Sequence, residues 1–393
     1  MISDLTWLIL STVFLLGGIA ITYWVHRMQY IRILVPPSDP PQRTSAPLIS
    51  IIVPARNEAR NIRACLAALV AQTYPNLELI VVDDRSTDNT LEIINRFAAR
   101  HHTTSSTPIK TIPGIDLPPG WAGKPHALFQ GVSQANGEWL CFIDADTFAH
   151  PALLSSAFHA ARYHAADLLT ILTDQQLASF WEKVIMPLVF TALSVGFPAD
   201  RVNDPTKPDA IANGQFILIR RSVYDSVGGH QAIRAEIAED KALAVLVKGS
   251  GYHLVLGDGR QVAQTRMYTS FPEIWEGWTK NIYLGLQDRL WLLAIGALVG
   301  LVGALALPLW TVLSFARAGS SSSWMAGLAT AQSLLVWSYL VYQRVKACRA
   351  LHINSWYALT LPLGALVFTL MMFTSTYKVL TGQGITWRGR SYS

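Results

Sequence analysis

Asp144-Ala145-Asp146 sets two carboxylates one residue apart directly after the apolar run from Trp139 to Ile143. Such a pair can hold Mg2+ or Mn2+, hard cations that take one or two protein carboxylates and complete their octahedron with phosphate oxygens and water. The pairing suits a reaction with a diphosphate leaving group, whose departing charge needs a cation or basic side chains beside it. Arg56 in Pro54-Ala55-Arg56-Asn57-Glu58 and Lys124 in Trp121-Ala122-Gly123-Lys124-Pro125 are candidates for that phosphate, or else solvated loop residues. Asp83-Asp84 also closes an apolar run, Leu77 to Val82, and suits hydrogen bonds to a base or ribose; an Asx turn before a helix is the plainer reading. Glu239-Asp240 opens a stretch with apolar residues at Leu243, Leu246 and Val247. Acidic residues in a first turn complement the helix dipole, but a positioned carboxylate can also take the proton of an attacking hydroxyl, and Asp240 is the candidate base.

These residues need a scaffold that brings chain-distant turns together, and the pattern supplies one. Ile49 to Val53, Leu77 to Val82, Ile109 to Ile112 and Trp139 to Ile143 read as strands. Helical spacing runs between them over Asn57 to Ala71, Asn89 to Arg100 and His126 to Ala135, with Ser86-Thr87-Asp88 offering cap chemistry for the second. Later strands are expected at Leu168 to Thr173, Phe216 to Arg220 and Tyr252 to Leu256, with a helix from Ala238 to Lys248 between the last two. Such alternation predicts an α/β fold with a mostly parallel sheet and ligands at the C-terminal strand ends. Gly123-Lys124 lacks the upstream Gly and the following Ser or Thr of a phosphate-binding P-loop, and no GxGxxG, HExxH or GxSxG occurs.

The chain has 393 residues, of which 51% are hydrophobic and 15% charged, and the apolar excess collects at its two ends. Leu5 to Trp24 has the length of a bilayer span, roughly 20 residues, and is followed by Val25-His26-Arg27 instead of a small-residue cleavage site. Further spans are expected near Leu290 to Phe315, Trp324 to Tyr342 and Trp356 to Tyr377. Arg27 and Arg32 after the first, and Arg344, Lys346 and Arg349 in a loop between the last two, place those loops and the central domain in the cytoplasm. That count leaves the tail Trp387-Arg388-Gly389-Arg390 outside, against the same tendency, so one C-terminal segment is a candidate re-entrant or interfacial helix. Phe180 to Phe197 reads equally as a buried helix or one lying on the bilayer surface. The expected division is an anchor over 1–35, a Pro-rich linker over 36–47, a catalytic domain over 48–285, about three membrane helices over 286–380 and a basic tail over 381–393. A net charge of +5, with its basic residues beside apolar segments, fits a membrane flank and gives no nucleic-acid face. Cys65, Cys141 and Cys348 form no CxxC pair, so neither a zinc site nor a disulfide framework is indicated.

Taken in order, Pro54-Ala55-Arg56-Asn57-Glu58, Gln72-Thr73-Tyr74-Pro75, the segment from Val81 to Thr90, Gly123-Lys124, Asp144-Ala145-Asp146 and Glu239-Asp240 resemble the family 2 glycosyltransferases. The resemblance implies a Rossmann-like GT-A fold, a nucleotide-sugar donor, inversion by a single displacement and a divalent metal, Mg2+ or Mn2+. It places Pro54, Arg56, Glu58, Asp83, Asp84, Lys124, Asp144 and Gly214 at the nucleotide-sugar, Asp144 and Asp146 at the metal, Asp240 as base, and Glu239, Trp278 and Lys280 on the acceptor side. More narrowly, Asn213-Gly214-Gln215-Phe216, Val227-Gly228-Gly229-His230, Trp278-Thr279-Lys280-Asn281 and the Trp387 to Arg390 tail are similar to membrane glycosyltransferases of carotenoid and hopanoid pathways, among them the carotenoid 2'-O-glycosyltransferases and chlorobactene glucosyltransferases. The QxxRW motif of processive polysaccharide synthases is missing, with Glu276-Gly277-Trp278-Thr279-Lys280 in the comparable place. A single transfer to a lipid-soluble acceptor, a carotenoid or another lipid, is therefore expected. A binding scaffold has no need of a proton acceptor at Asp240, and a transporter needs ionisable groups within its spans.

Overall fold

The computed structural model describes residues 4–26, 31–32, 45–101, 107–286, 296–298, 300–302, 306–320, 323–381, 385–387 and 390–392. The chain divides into two compact units, one of residues 29–176 and 197–267 and one of residues 1–28, 177–196 and 268–393.

The first unit is built on a sheet of strands β1 (Ile31–Arg32), β2 (Ile49–Ala55), β3 (Leu77–Asp83), β4 (Ile109–Pro113), β5 (Trp139–Phe142), β7 (Leu168–Leu172), β9 (Ile217–Arg220) and β10 (Leu254–Asp258). Their order is β1-β10-β7-β9-β5-β2-β3-β4, parallel throughout except for β9, which runs antiparallel to both β5 and β7. Three short strands, β6 (Thr147–Ala149), β8 (Asp174–Gln175) and β11 (Ala263–Thr265), form a separate sheet in the order β6-β11-β8.

The strands read as unbroken apolar runs because both faces of the sheet are covered. Ile51, Val53, Leu79 and Val81 face the helices Ile62–Val70 and Leu153–Tyr163, while the alternate residues Ile52, Ile80 and Val82 pack with the helices Gly123–Ser133 and Glu239–Gly249. From β2 the chain runs outward through β3 and β4, then returns to place β5 on the other side of β2. Such a reversal opens a crevice at the C-terminal strand ends, and Ala55, Asp83 and the turn after Phe142 all end there.

The second unit is helical. Among the described residues, two segments, Trp324–Ala350 and Ser355–Lys378, are long and apolar enough to cross a membrane by length and composition. Asp4–His26 is a third apolar helix, and Trp7 at its start stacks on Trp310 at 3.6 Å while its Nε1 donates to Ser314. Residues 290–295, 299 and 303–305 of the expected span from Leu290 to Phe315 lie outside the described residues, as do Arg27, residues 36–44 of the Pro-rich linker and Arg388-Gly389 of the tail. The strands Ile385–Trp387 and Arg390–Tyr392 flanking that last pair are antiparallel partners.

The expected basic loop holding Arg344, Lys346 and Arg349 is instead the end of the helix Trp324–Ala350, and Arg344 is buried. Arg344 meets the helix Phe180–Gly196 on the turn before Pro187. Proline has no N–H to give to the carbonyl four residues back. That carbonyl is Lys183 O, and Arg344 Nη2 donates to it at 3.1 Å and to Val184 O at 2.7 Å. A cation inside an apolar unit is thus held by carbonyls beside a proline, and Gly364 lets its own helix approach the Val184 carbonyl closely.

Candidate active site

The turns after β2 and β3 are tied together. Asn57 adopts a left-handed backbone, φ 54°, from which its Oδ1 accepts from Thr87 N at 2.8 Å and its N donates to Ser86 Oγ at 3.0 Å. Asp88 accepts from Thr90 N through Oδ1, as a cap of the helix Thr90–His101, and from Ala59 N through Oδ2. Arg56 Nη1 donates to Asp84 O at 2.8 Å, so its guanidinium holds the loop that carries Asp84. Asp83 and Glu58 are buried; Asp83 Oδ2 accepts from Ser86 N at 3.1 Å, and its Oδ1 has no hydrogen-bond partner among the described residues. The aspartates after β3 therefore serve as turn formers and still leave a buried acceptor at the strand end.

On the other side of β2, Lys124, Asp144, Gly214, Glu239 and Asp240 converge on one small cavity, with Pro54 in its wall. Lys124 sits in the first turn of the helix Gly123–Ser133, where a cation opposes the helix dipole. It is held there by carboxylates: its Nζ is 2.7 Å from Asp144 Oδ1 and 2.6 Å from Glu239 Oε1. Burial works against the Lys124 charge, but Asp144, Glu239 and Asp240 around it raise its pKa well above the ordinary lysine range. Burial pushes the Glu239 carboxyl up to about 6 even with Lys124 drawing it down.

Glu239 and Asp240 occupy the first turn of the helix Glu239–Gly249, so the dipole reading and the site reading are satisfied by the same placement. Asp240 Oδ2 accepts from Gly214 N at 2.9 Å and its Oδ1 from Lys241 N at 2.7 Å. A side-chain carbon at position 214 would lie 2.8 Å from Lys124 Nζ, 3.2 Å from Asp240 Oδ2 and 3.5 Å from Asp144 Oδ2. Only glycine leaves that space open.

Asp146 stands partly exposed between Ala145 and β6, two residues past Asp144. Two partly exposed carboxylates of hard oxygen character fit a divalent cation whose remaining ligands are phosphate oxygens and water. Among the described residues no group of three or more His, Cys, Asp or Glu side chains could hold a metal ion unaided.

Residues 50–228 match the family described as Glycosyl transferase family 2. The chain is a glycosyltransferase carrying a family 2 domain. This glycosyltransferase is 25% identical over 350 residues to the 4,4'-diaponeurosporenoate glycosyltransferase of Staphylococcus aureus strain USA300, covering 88% of each chain. The corresponding protein of strain MRSA252 is 26% identical over the same length. A mannosyltransferase from Pyrobaculum calidifontis, solved with GDP-Man and Mn2+, superposes with a TM-score of 0.54 at 18% identity, covering 97% of this chain and 100% of that one, which shows the GT-A fold.

The structure brings Lys124, Asp144, Gly214, Glu239 and Asp240 of the expected site together. Trp278 and Lys280, expected on the acceptor side, belong to the helix Phe271–Leu286 of the second unit, and Trp278 is buried beside Tyr268. Two participants, Asn57 and His230, stand in recognised sequence motifs but receive no role from sequence alone. Asn57 carries a signal, since Asn is among the residues that tolerate a left-handed turn. His230 also lines the cavity. Its signal is a histidine directly after Gly228-Gly229, both with positive φ.

Proposed function

We propose that this glycosyltransferase moves a hexose from a UDP-sugar, with inversion, to the hydroxyl of a lipid-soluble acceptor, a carotenoid, while bound to a membrane with its catalytic unit in the cytoplasm. The observation that carries this reading is the meeting of Lys124, Asp144, Glu239 and Asp240 around the open space at Gly214, a site that pairs a cation for a phosphate with a carboxylate outside the ion pairs. Asp83 Oδ1 is the acceptor for an N–H of the base, and Pro54 and Glu58 border the same strand ends. Asp144 and Asp146 would hold Mg2+ or Mn2+, which supplies a positive charge to the leaving diphosphate.

Asp240 takes the proton of the acceptor hydroxyl as its oxygen forms the bond to the anomeric carbon, and the bond from that carbon to the diphosphate breaks with its electrons leaving on phosphate. Hydrogen bonds from Gly214 N and Lys241 N fix the Asp240 carboxylate for that approach. Lys124 offers its charge to the departing diphosphate beside the metal carboxylates. Support for a carotenoid as the class of acceptor comes from the carotenoid carboxylate named in the staphylococcal relatives, the hydroxyl being part of the proposal, and support for the membrane from the apolar helices Trp324–Ala350 and Ser355–Lys378.

The test incubates membranes bearing the chain with labelled UDP-hexose and a carotenoid alcohol. Wild type is expected to label the carotenoid, and Asp240→Asn to bind donor but not transfer. Normal turnover in that variant removes Asp240 from the mechanism, and label in an acid-labile phosphate-linked lipid replaces the carotenoid as acceptor.

A further inference from the structure

His230 lies in the short helix after Gly228 and is buried, 1% exposed, while lining the cavity that holds Lys124, Asp144, Glu239 and Asp240. Its ring is fixed by Tyr224. The backbone N of His230 donates to Tyr224 Oη at 3.0 Å, and the hydroxyl stands 2.9 Å from His230 Nδ1, the one acceptor among the described residues within reach of its hydrogen. Assigning the ring proton to Nε2 makes Nδ1 the acceptor and gives the buried hydroxyl hydrogen a partner, which the opposite tautomer would not. No other hydrogen bond to this ring is present among the described residues.

The arrangement depends on close packing. A side-chain carbon at Gly229 would stand 2.2 Å from the Tyr224 ring, so glycine is what lets the phenol approach the imidazole. The ring of Phe142, the last residue of β5, meets the imidazole edge-on at 4.9 Å. Burial, with Lys124 nearby, pushes His230 down to about 3, so the ring stays neutral at physiological pH and offers a donor without a charge. A buried donor with no protein partner costs stability unless water or a ligand supplies an acceptor, and His230 lines the cavity where either can enter. The cations for phosphate are already provided elsewhere in the cavity, so the neutral donor suits a neutral acceptor.

We infer that His230 Nε2–H donates a hydrogen bond to one hydroxyl oxygen of the transferred sugar, making His230 a specificity-determining residue for the donor, positioned by Tyr224. This rests on the donor site proposed above. It adds that selection among hexoses is made from the wall carrying Gly228-Gly229-His230.

The test compares wild type, His230→Phe and Tyr224→Phe with UDP-glucose and its monodeoxyglucose analogues, and measures inhibition by UDP. His230→Phe keeps an aromatic ring against Phe142 and removes the N–H. Expected is a fall of about tenfold in kcat/KM for the full sugar, the worth of one neutral hydrogen bond. One deoxy analogue should be handled equally by wild type and variant, and UDP inhibition should stay the same. If UDP inhibition weakens by the same factor, or if every deoxy analogue loses as much in the variant as the full sugar does, the inference fails. Where His230→Phe does not fold, Tyr224→Phe decides: the same analogue must become less disfavoured, and unchanged discrimination overturns the proposal. Absence of transfer by wild type from any nucleotide-sugar would instead sink the underlying donor-site reading.

Discussion

Lys124 Nζ stands 2.7 Å from Asp144 Oδ1, joining the start of the helix Gly123–Ser133 to the turn that follows β5. The same ammonium reaches Glu239 at 2.6 Å, so one cation holds together two carboxylates from separate elements. Lys124→Met would leave both without their partner. About a third of the lysine side chain is exposed, so screening reduces the loss to about 1–2 kcal/mol of stability. Transfer should fall more steeply, by roughly a hundredfold, because the charge also acts on the leaving diphosphate. Thermal unfolding and kcat/KM measured on one preparation check both; full transfer activity in a destabilised protein would confine Lys124 to a structural role.

Gly214 gives a sharper separation of site from fold. A methyl at this position meets Lys124 Nζ, the far end of a flexible side chain, and Asp240 Oδ2 at a tight 3.2 Å. Gly214→Ala is therefore expected to keep its unfolding temperature within a few degrees while losing transfer about a hundredfold. An active Gly214→Ala variant would show that the space is not used by substrate.

The strand-end aspartates are legible in sequence because each follows an apolar run: Asp83 closes β3 and Asp144 lies in the turn after β5. The Lys124–Glu239 pair is not, since neither turn carries a mark of the other and the pairing arises from β5 returning beside β2. His230 is hidden for a related reason: its partner Tyr224 is six residues away across two glycines, and only the folded turn makes the two rings meet. β9 is readable as a strand but not as antiparallel, because a four-residue strand buried on both faces carries no directional pattern. Arg344 reads as a loop residue because its partners, the Lys183 and Val184 carbonyls, lie on a different helix.

Glu239 should leave a signature in stability against pH. Its carboxyl binds a proton near pH 6 in the folded chain and near its ordinary 4.5 when exposed. Between those values the native state holds the proton more tightly, so this group's contribution is full below about 4.5 and is lost as pH rises through 6. The difference corresponds to about 2 kcal/mol. Glu239→Gln should therefore gain stability relative to wild type as pH rises from 4.5 to 7, read as the difference between their denaturation midpoints. A constant difference across that window would contradict the raised value.

Pro187 and Arg344 make a coupled pair in the helical unit. Arg344 Nη2 answers the Lys183 carbonyl that Pro187 leaves without a helical donor, and the guanidinium is buried in doing so. Arg344→Met removes a donor worth about 1–3 kcal/mol to the buried carbonyl, offset in part by removal of the buried Nε and Nη1, which have no partner among the described residues. In a Pro187→Ala background, the restored backbone N–H at position 187 can bond the Lys183 carbonyl, so the same arginine substitution should cost less by about 1 kcal/mol. The double-mutant cycle, followed by thermal unfolding of detergent-solubilised protein, isolates that coupling. Equal costs in the two backgrounds would mean that Arg344 is retained for some reason other than the carbonyl freed by the proline.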